Sequence, residues 1–154
     1  MSRYLIGITG MGTNPHVPCF LDAAKALAAA LRRLGHDVAY ADTEERAKGG
    51  RLIIFGSGNL LQADGALGPS EVIPDDAIIF NSEQLAAVKD PSYFLQGYLK
   101  FRNMHVWDYS QVNIAAMKKL GIERAVHVPL GYVPEMTSIT NLPPLRTYSR
   151  WPEA

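Results

Sequence analysis

Apolar and polar residues alternate in short blocks along this chain, and the form of each block separates strands from helices. Residues 4–9, Tyr-Leu-Ile-Gly-Ile-Thr, make a short, mostly apolar stretch rich in β-branched side chains, which predicts a buried strand. Similar stretches recur at Asp37–Ala41, Leu52–Phe55, Ala77–Phe80, Met104–Trp107 and Ala125–Val128, so six strands are expected. Between the first two, the spacing changes. Phe20, Ala24, Leu27, Leu31 and Leu34 follow at steps of four and three and predict a helix with one apolar face. Pro18 suits its first turn, and Gly35 is placed to stop it. A second helix is predicted after the fifth strand, capped by Asp108 or Ser110 and ended by Gly121. Its Ile114, Met117 and Leu120 or Ile122 point one way, and Lys118 and Lys119 complement the dipole of its last turn. Thr43–Lys48 reads as a surface turn of helix and residues 60–75 as irregular chain. Asn81-Ser-Glu-Gln84 has the spacing of a capping box, with Asn81 accepting from the backbone and Gln84 reaching back.

Nearly continuous apolar strands that alternate with helices imply an α/β fold. We expect a three-layer Rossmann-like domain with a mainly parallel sheet of about six strands. Residues 1–135 make up this domain, and residues 136–154, with Pro143, Pro144, Trp151 and Pro152, read as a Pro-rich, extended C-terminal tail. In such sheets ligands bind outside the carboxyl ends of the strands. The polar clusters fall there: Gly10–His16, Gly56–Asn59, Asn81–Gln84, Asp108–Asn113 and Gly131-Tyr132.

Composition narrows the function classes. The 154 residues are 47% hydrophobic and 19% charged, which fits one globular domain rather than a disordered chain. Fifteen basic residues balance fifteen acidic ones, and this argues against a general nucleic-acid binder. No apolar run approaches the roughly 20 residues of a membrane span. Met1-Ser2-Arg3-Tyr4 leads directly into a strand without the pattern of a signal peptide, so a cytoplasmic location is expected. The one cysteine, Cys19, cannot form an internal disulfide and reads as a small buried residue.

Candidate chemistry sits on the loops. Gly7, Gly10 and Gly12 have the order Gly-x-x-Gly-x-Gly, not the Gly-x-Gly-x-x-Gly of a dinucleotide site, and no cofactor is expected. A nucleotide-dependent oxidoreductase is disfavoured for the same reason. His16, near the start of the first helix, is the candidate general base, with Asp22 or Glu83 to orient it. A plain surface histidine is the simpler account. His36 reads as a solvated turn residue, and His105 and His127 as packed within strands. Four scattered histidines with no close pair give no metal signature. Candidate substrate-binding residues are Gly10, Gly12, Asn14, Gly56, Ser57, Asn59, Asn81, Glu83, Gln84, Asp108, Tyr109, Ser110, Asn113 and Tyr132. Capping by Asp108 and Ser110 accounts for half of the last cluster without any ligand.

Leu34-Gly-His-Asp-Val38, after the first strand–helix unit, resembles the opening half of GT-B-type glycosyltransferases. Ile78-Ile-Phe-Asn-Ser-Glu-Gln-Leu85, Val106-Trp-Asp-Tyr-Ser-Gln-Val-Asn-Ile114 and Val128-Pro-Leu-Gly-Tyr-Val-Pro134, in that order, resemble bacterial glycosyltransferase-like proteins of cell-surface polysaccharide synthesis. The resemblance runs from about residue 4 to 135. It implies the N-terminal, acceptor-side half of a two-domain transferase, with 129–134 marking the handover to a donor domain. No donor domain follows in this sequence, so hexosyl transfer from a nucleotide-sugar is expected only with a separate donor-domain protein. A sugar or nucleotide-sugar is the implied ligand. The alternative is a non-catalytic interaction module that binds protein or forms a homo-oligomer.

Overall fold

The computed structural model describes residues 1–9, 18–41, 43–61, 73–85, 97–131 and 133–136. Six strands, β1 (Arg3–Ile8), β2 (Asp37–Tyr40), β3 (Arg51–Phe55), β4 (Ile78–Asn81), β5 (His105–Asp108) and β6 (Ala125–His127), form one sheet in the order β2-β1-β3-β4-β5-β6. Every pairing is parallel. The helices are α1 (Pro18–Arg33), α2 (Thr43–Ala47), α3 (Ser57–Leu61) and α4 (Gln111–Lys119), with 3₁₀ turns at Leu99–Phe101 and Pro134–Met136. The expected Rossmann-like α/β architecture is present.

Alternation along the strands sends side chains into two cores. Ile6, Ile53, Phe55, Ile78 and Phe80 pack with Phe20, Ala24, Ala28 and Leu31 of α1 on one face. Leu5, Leu52, Ile54, Ile79 and Val106 pack on the other with Leu60 of α3, Met117 of α4, and Tyr98 and Phe101. Three layers result. Fully burying one such Leu, Ile or Phe contributes about 1.5–3 kcal/mol, so the sheet holds its helices mainly through these contacts.

Both helix ends follow from their sequences. Gly35 has φ +83° and Gly121 φ +81°, a region open to glycine at little cost. After α1, His36 N–H donates to Leu31 O (3.1 Å) and Gly35 N–H to Arg32 O (2.9 Å), and α4 ends the same way through Ile122 and Gly121. These are Schellman turns, which satisfy carbonyls left over by the helix. Leu34 does not join the apolar face expected of it. It is 73% exposed, because the helix stops at Arg33 and the turn carries Leu34 outward. Cys19 is exposed, not buried, since it lies one residue and about 100° around the helix from the Phe20 line. Residues 60 and 61 belong to α3 rather than to irregular chain.

Candidate functional site

In a parallel sheet all carboxyl ends share one edge, and the strand order reverses between β1 and β3. That reversal is where clefts open in such folds. Thr9, just past β1, ties the two strands there: its N–H donates to Phe55 O at 3.0 Å and its hydroxyl to Phe55 O at 3.1 Å. Farther along the same edge, the residues following β3, β4 and β5 meet in one buried polar network.

The network has a direction. The Ser57 hydroxyl, at the start of α3, donates to the Tyr98 phenol (2.8 Å), which donates its own proton to Asn81 Oδ1. Asn81 Nδ2 donates to Asp108 Oδ2 (2.5 Å), and Asn113 Nδ2 donates to the same oxygen (3.1 Å). Ser110 N–H closes on Asp108 Oδ1 at 2.6 Å. The Glu83 carbonyl accepts from Asn81 Nδ2 (3.1 Å) and Asn113 Nδ2 (2.8 Å). Ser57, Asn81, Tyr98, Asp108 and Asn113 are all buried. Burial pushes the Tyr98 phenol well above the ordinary tyrosine range, aided by the nearby Glu83 and Asp108 charges and opposed by the Ser57 hydrogen bond. Tyr98 therefore keeps its proton and acts as a donor. None of the ion pairs among the described residues involves Asp108, so N–H donors alone hold its carboxylate.

Buried polar groups that satisfy one another are rigid, because no water competes for them. The network thus locks the three loops together, and the groups facing solvent differ from those inside. Gln84 is exposed, while Glu83, Tyr109 and Ser110 are half-buried. The Glu83 carboxyl lies over Gly58, where a Cβ would come 3.3 Å from Oε1, so glycine makes room for it. Ser110 caps α4 by accepting from Asn113 N–H (3.4 Å). Asn81 does accept from the backbone, but from Glu83 N–H two residues on (3.0 Å), in an Asx turn rather than a capping box, and Gln84 points to solvent.

Several expected site residues are thereby gathered at this edge: Gly56, Ser57, Asn81, Glu83, Gln84, Asp108, Tyr109, Ser110 and Asn113. Asn59 belongs to α3 by its backbone only. Gly10, Gly12, Asn14, His16 and Tyr132 lie outside the described residues. Asp22 pairs with Lys25 (3.8 Å) on the exposed side of α1. His36 is half-buried rather than a free turn residue, edge-on to Tyr4 with ring centroids 5.2 Å apart. His127 is exposed, not packed, because β6 is an edge strand. Its Nε2 lies 3.0 Å from Tyr109 O. A carbonyl can only accept, so Nε2 carries the proton and Nδ1 presents a lone pair at the carboxyl edge.

Sequence reasoning missed Tyr98 and the position of His127. Tyr98 follows Pro91 in a stretch without periodicity, and only its contacts with Ser57 and Asn81 single it out. No metal-holding group of His, Cys, Asp or Glu occurs among the described residues. No helix among them is long and apolar enough to cross a membrane. Beside α1 lies a cavity of about 210 Å3, lined by Ala23, Leu27, Ala30, Phe80, Val128 and Val133 among others, and its apolar walls suit no charged or sugar-like ligand. Comparisons with protein-family models, curated proteins and solved structures find no match.

Proposed function

We propose that this domain is the acceptor-side half of a GT-B-like glycosyltransferase, binding a sugar along the carboxyl edge of its sheet. The donor nucleotide-sugar would be held by a domain outside these 154 residues. The observation that carries this reading is the convergence of the loops after β3, β4 and β5 on one locked network. A rigid rim suits carbohydrate recognition, since hydroxyl-rich ligands need donors and acceptors held in place before binding. Glu83, Gln84, Tyr109 and Ser110 offer such groups to solvent, and His127 offers a basic nitrogen on the same edge. In this reading His16 remains the candidate base, and His127 is a second histidine to test beside it. Transfer itself requires both reactants in attack geometry, which one half cannot provide.

The test is a thermal-shift and calorimetric screen of the full chain against mono- and oligosaccharides and nucleotide-sugars. A sugar should raise the melting temperature, and Tyr109→Ala or Glu83→Gln should abolish that rise while the unliganded melting temperature stays near the parent's. Absence of any sugar effect, or one untouched by both variants, would overturn the reading. Turnover of a nucleotide-sugar by the chain alone would refute the half-enzyme part of it.

A non-catalytic interaction module is the second reading. It is favoured by Val126 and Leu130, which leave apolar surface open at 48% and 60% exposure.

A further inference from the structure

The strand order leaves one sheet face without a helix. Only the step from β1 to β2 moves one way across the sheet, and the other four steps move the opposite way. Right-handed crossovers then place α1 on one face and the later connections on the other. The packing agrees, with α1 in one core and α3, α4 and the Leu99–Phe101 turn bordering the other. On the α1 side, the residues paired across the sheet become steadily more exposed. Phe55, Phe80, Trp107 and Val126 stand in register. Phe55 and Phe80 are stacked and buried under α1, Trp107 is half-buried, and Val126 is 48% exposed. Val128 and Leu130 continue this open apolar strip past the end of β6.

The described chain leads back to this side. After β6 it returns to α1, where Glu135 pairs with Arg33 at 3.2 Å, and Met136 follows. The sequence beyond has a pattern of its own: Ile139, Leu142, Leu145, Tyr148 and Trp151 are spaced by three throughout. A period of three matches neither a helix nor a strand. It is the repeat of polyproline II, and Pro143-Pro144 lies within it. In that conformation all five side chains project from one side, along a rod rising about 3.1 Å per residue. That reach exceeds the length of these four-residue strands several-fold.

We propose that residues 137–154 dock as an extended arm on the α1-side face of β5 and β6, laying the Ile139–Trp151 line over Trp107, Val126 and Val128. The complementarity is specific in kind. An unpartnered apolar strip needs an apolar cover, and a Pro-rich segment loses little conformational entropy on docking because it is already stiff. The arm would then be displaceable surface protection, the piece that any partner using this face must remove.

The chain has two tryptophans, Trp107 and Trp151, so Trp107→Phe in the full chain leaves Trp151 as the single reporter. Its emission should be blue-shifted, weakly quenched by acrylamide and independent of protein concentration. Adding Val126→Asp, at a half-exposed position the fold tolerates, should shift the emission to the red and raise quenching to that of a free tryptophan, with far-UV circular dichroism unchanged. Red-shifted emission before Val126 is changed would overturn the proposal. So would blue-shifted emission indifferent to Val126→Asp, which would place the arm elsewhere. Burial of Trp151 that appears only as concentration rises, with a dimer in sedimentation, would overturn it in favour of a second copy on this face. These readouts use no sugar, so they fail or succeed independently of the carbohydrate reading.

Discussion

The two edges of the sheet are built on opposite principles. At the amino edge, charges meet in water: Arg3 bridges Asp37 and Glu45, and Lys48 reaches Glu44 (3.1 Å) and Glu45 (2.6 Å). The hydrogen bond from Lys48, then the charges of Lys48 and Arg3, hold the Glu45 carboxyl below its usual range. At the carboxyl edge, hydroxyls and amides surround one buried carboxylate. Water can replace a lost partner at the first edge and not at the second. The same number of hydrogen bonds therefore gives an adjustable edge in one place and a rigid one in the other, and the candidate site lies on the rigid one.

The sharpest way to break this comparison is Asp108→Ala. It strands the N–H groups of Asn81, Asn113 and Ser110, and urea denaturation should register a loss of about 3 kcal/mol or more. A loss below about 1 kcal/mol would mean that this edge is as replaceable as the other. Tyr98→Phe should cost less, about 2 kcal/mol, because Asn81 Oδ1 still accepts from Glu83 N–H while Ser57 loses its acceptor. Arg3→Ala at the amino edge should cost about 0.5–1 kcal/mol, and salt should shrink that difference further.

The smallest effect concerns pH. Desolvation, then the charges of Arg51 and Arg124, hold the His105 imidazole below its ordinary value. The unfolded chain therefore takes up this proton first as pH falls. Stability from His105 is complete above about pH 6.5 and declines on acidification through the folded value. His105→Gln should flatten that part of a melting-temperature profile, and an unchanged slope would remove His105 from the amino-edge account.

Much of the fold was legible in the sequence. All six strands were expected within one or two residues of where they lie, as were both long helices and their glycine stops. The site was legible only in part. Asn81, Asp108 and Asn113 announce themselves as polar residues bordering apolar strands, yet the sequence cannot say whether they face solvent or one another. Here they face one another, and their exposed neighbours Gln84 and Tyr109 form the accessible rim. Cys19 and His127 were misjudged for a related reason. A residue type says how well it tolerates burial, whereas its place around a helix or at a sheet edge says whether burial occurs.

The amino-acid order by itself determined what short-range physics can dictate: apolar spacing chose strand or helix, and Pro18, Gly35 and Gly121 set helix ends through their own backbone preferences. The tertiary structure alone decided which distant polar groups would meet. Tyr98 bonds Ser57 across 41 positions, and Asn81 bonds Asp108 across 27. The strand order likewise decided which sheet face would lie open beside Trp107 and Val126. Those outcomes depend on which strands become neighbours, and a pattern read over a few residues carries no term for that.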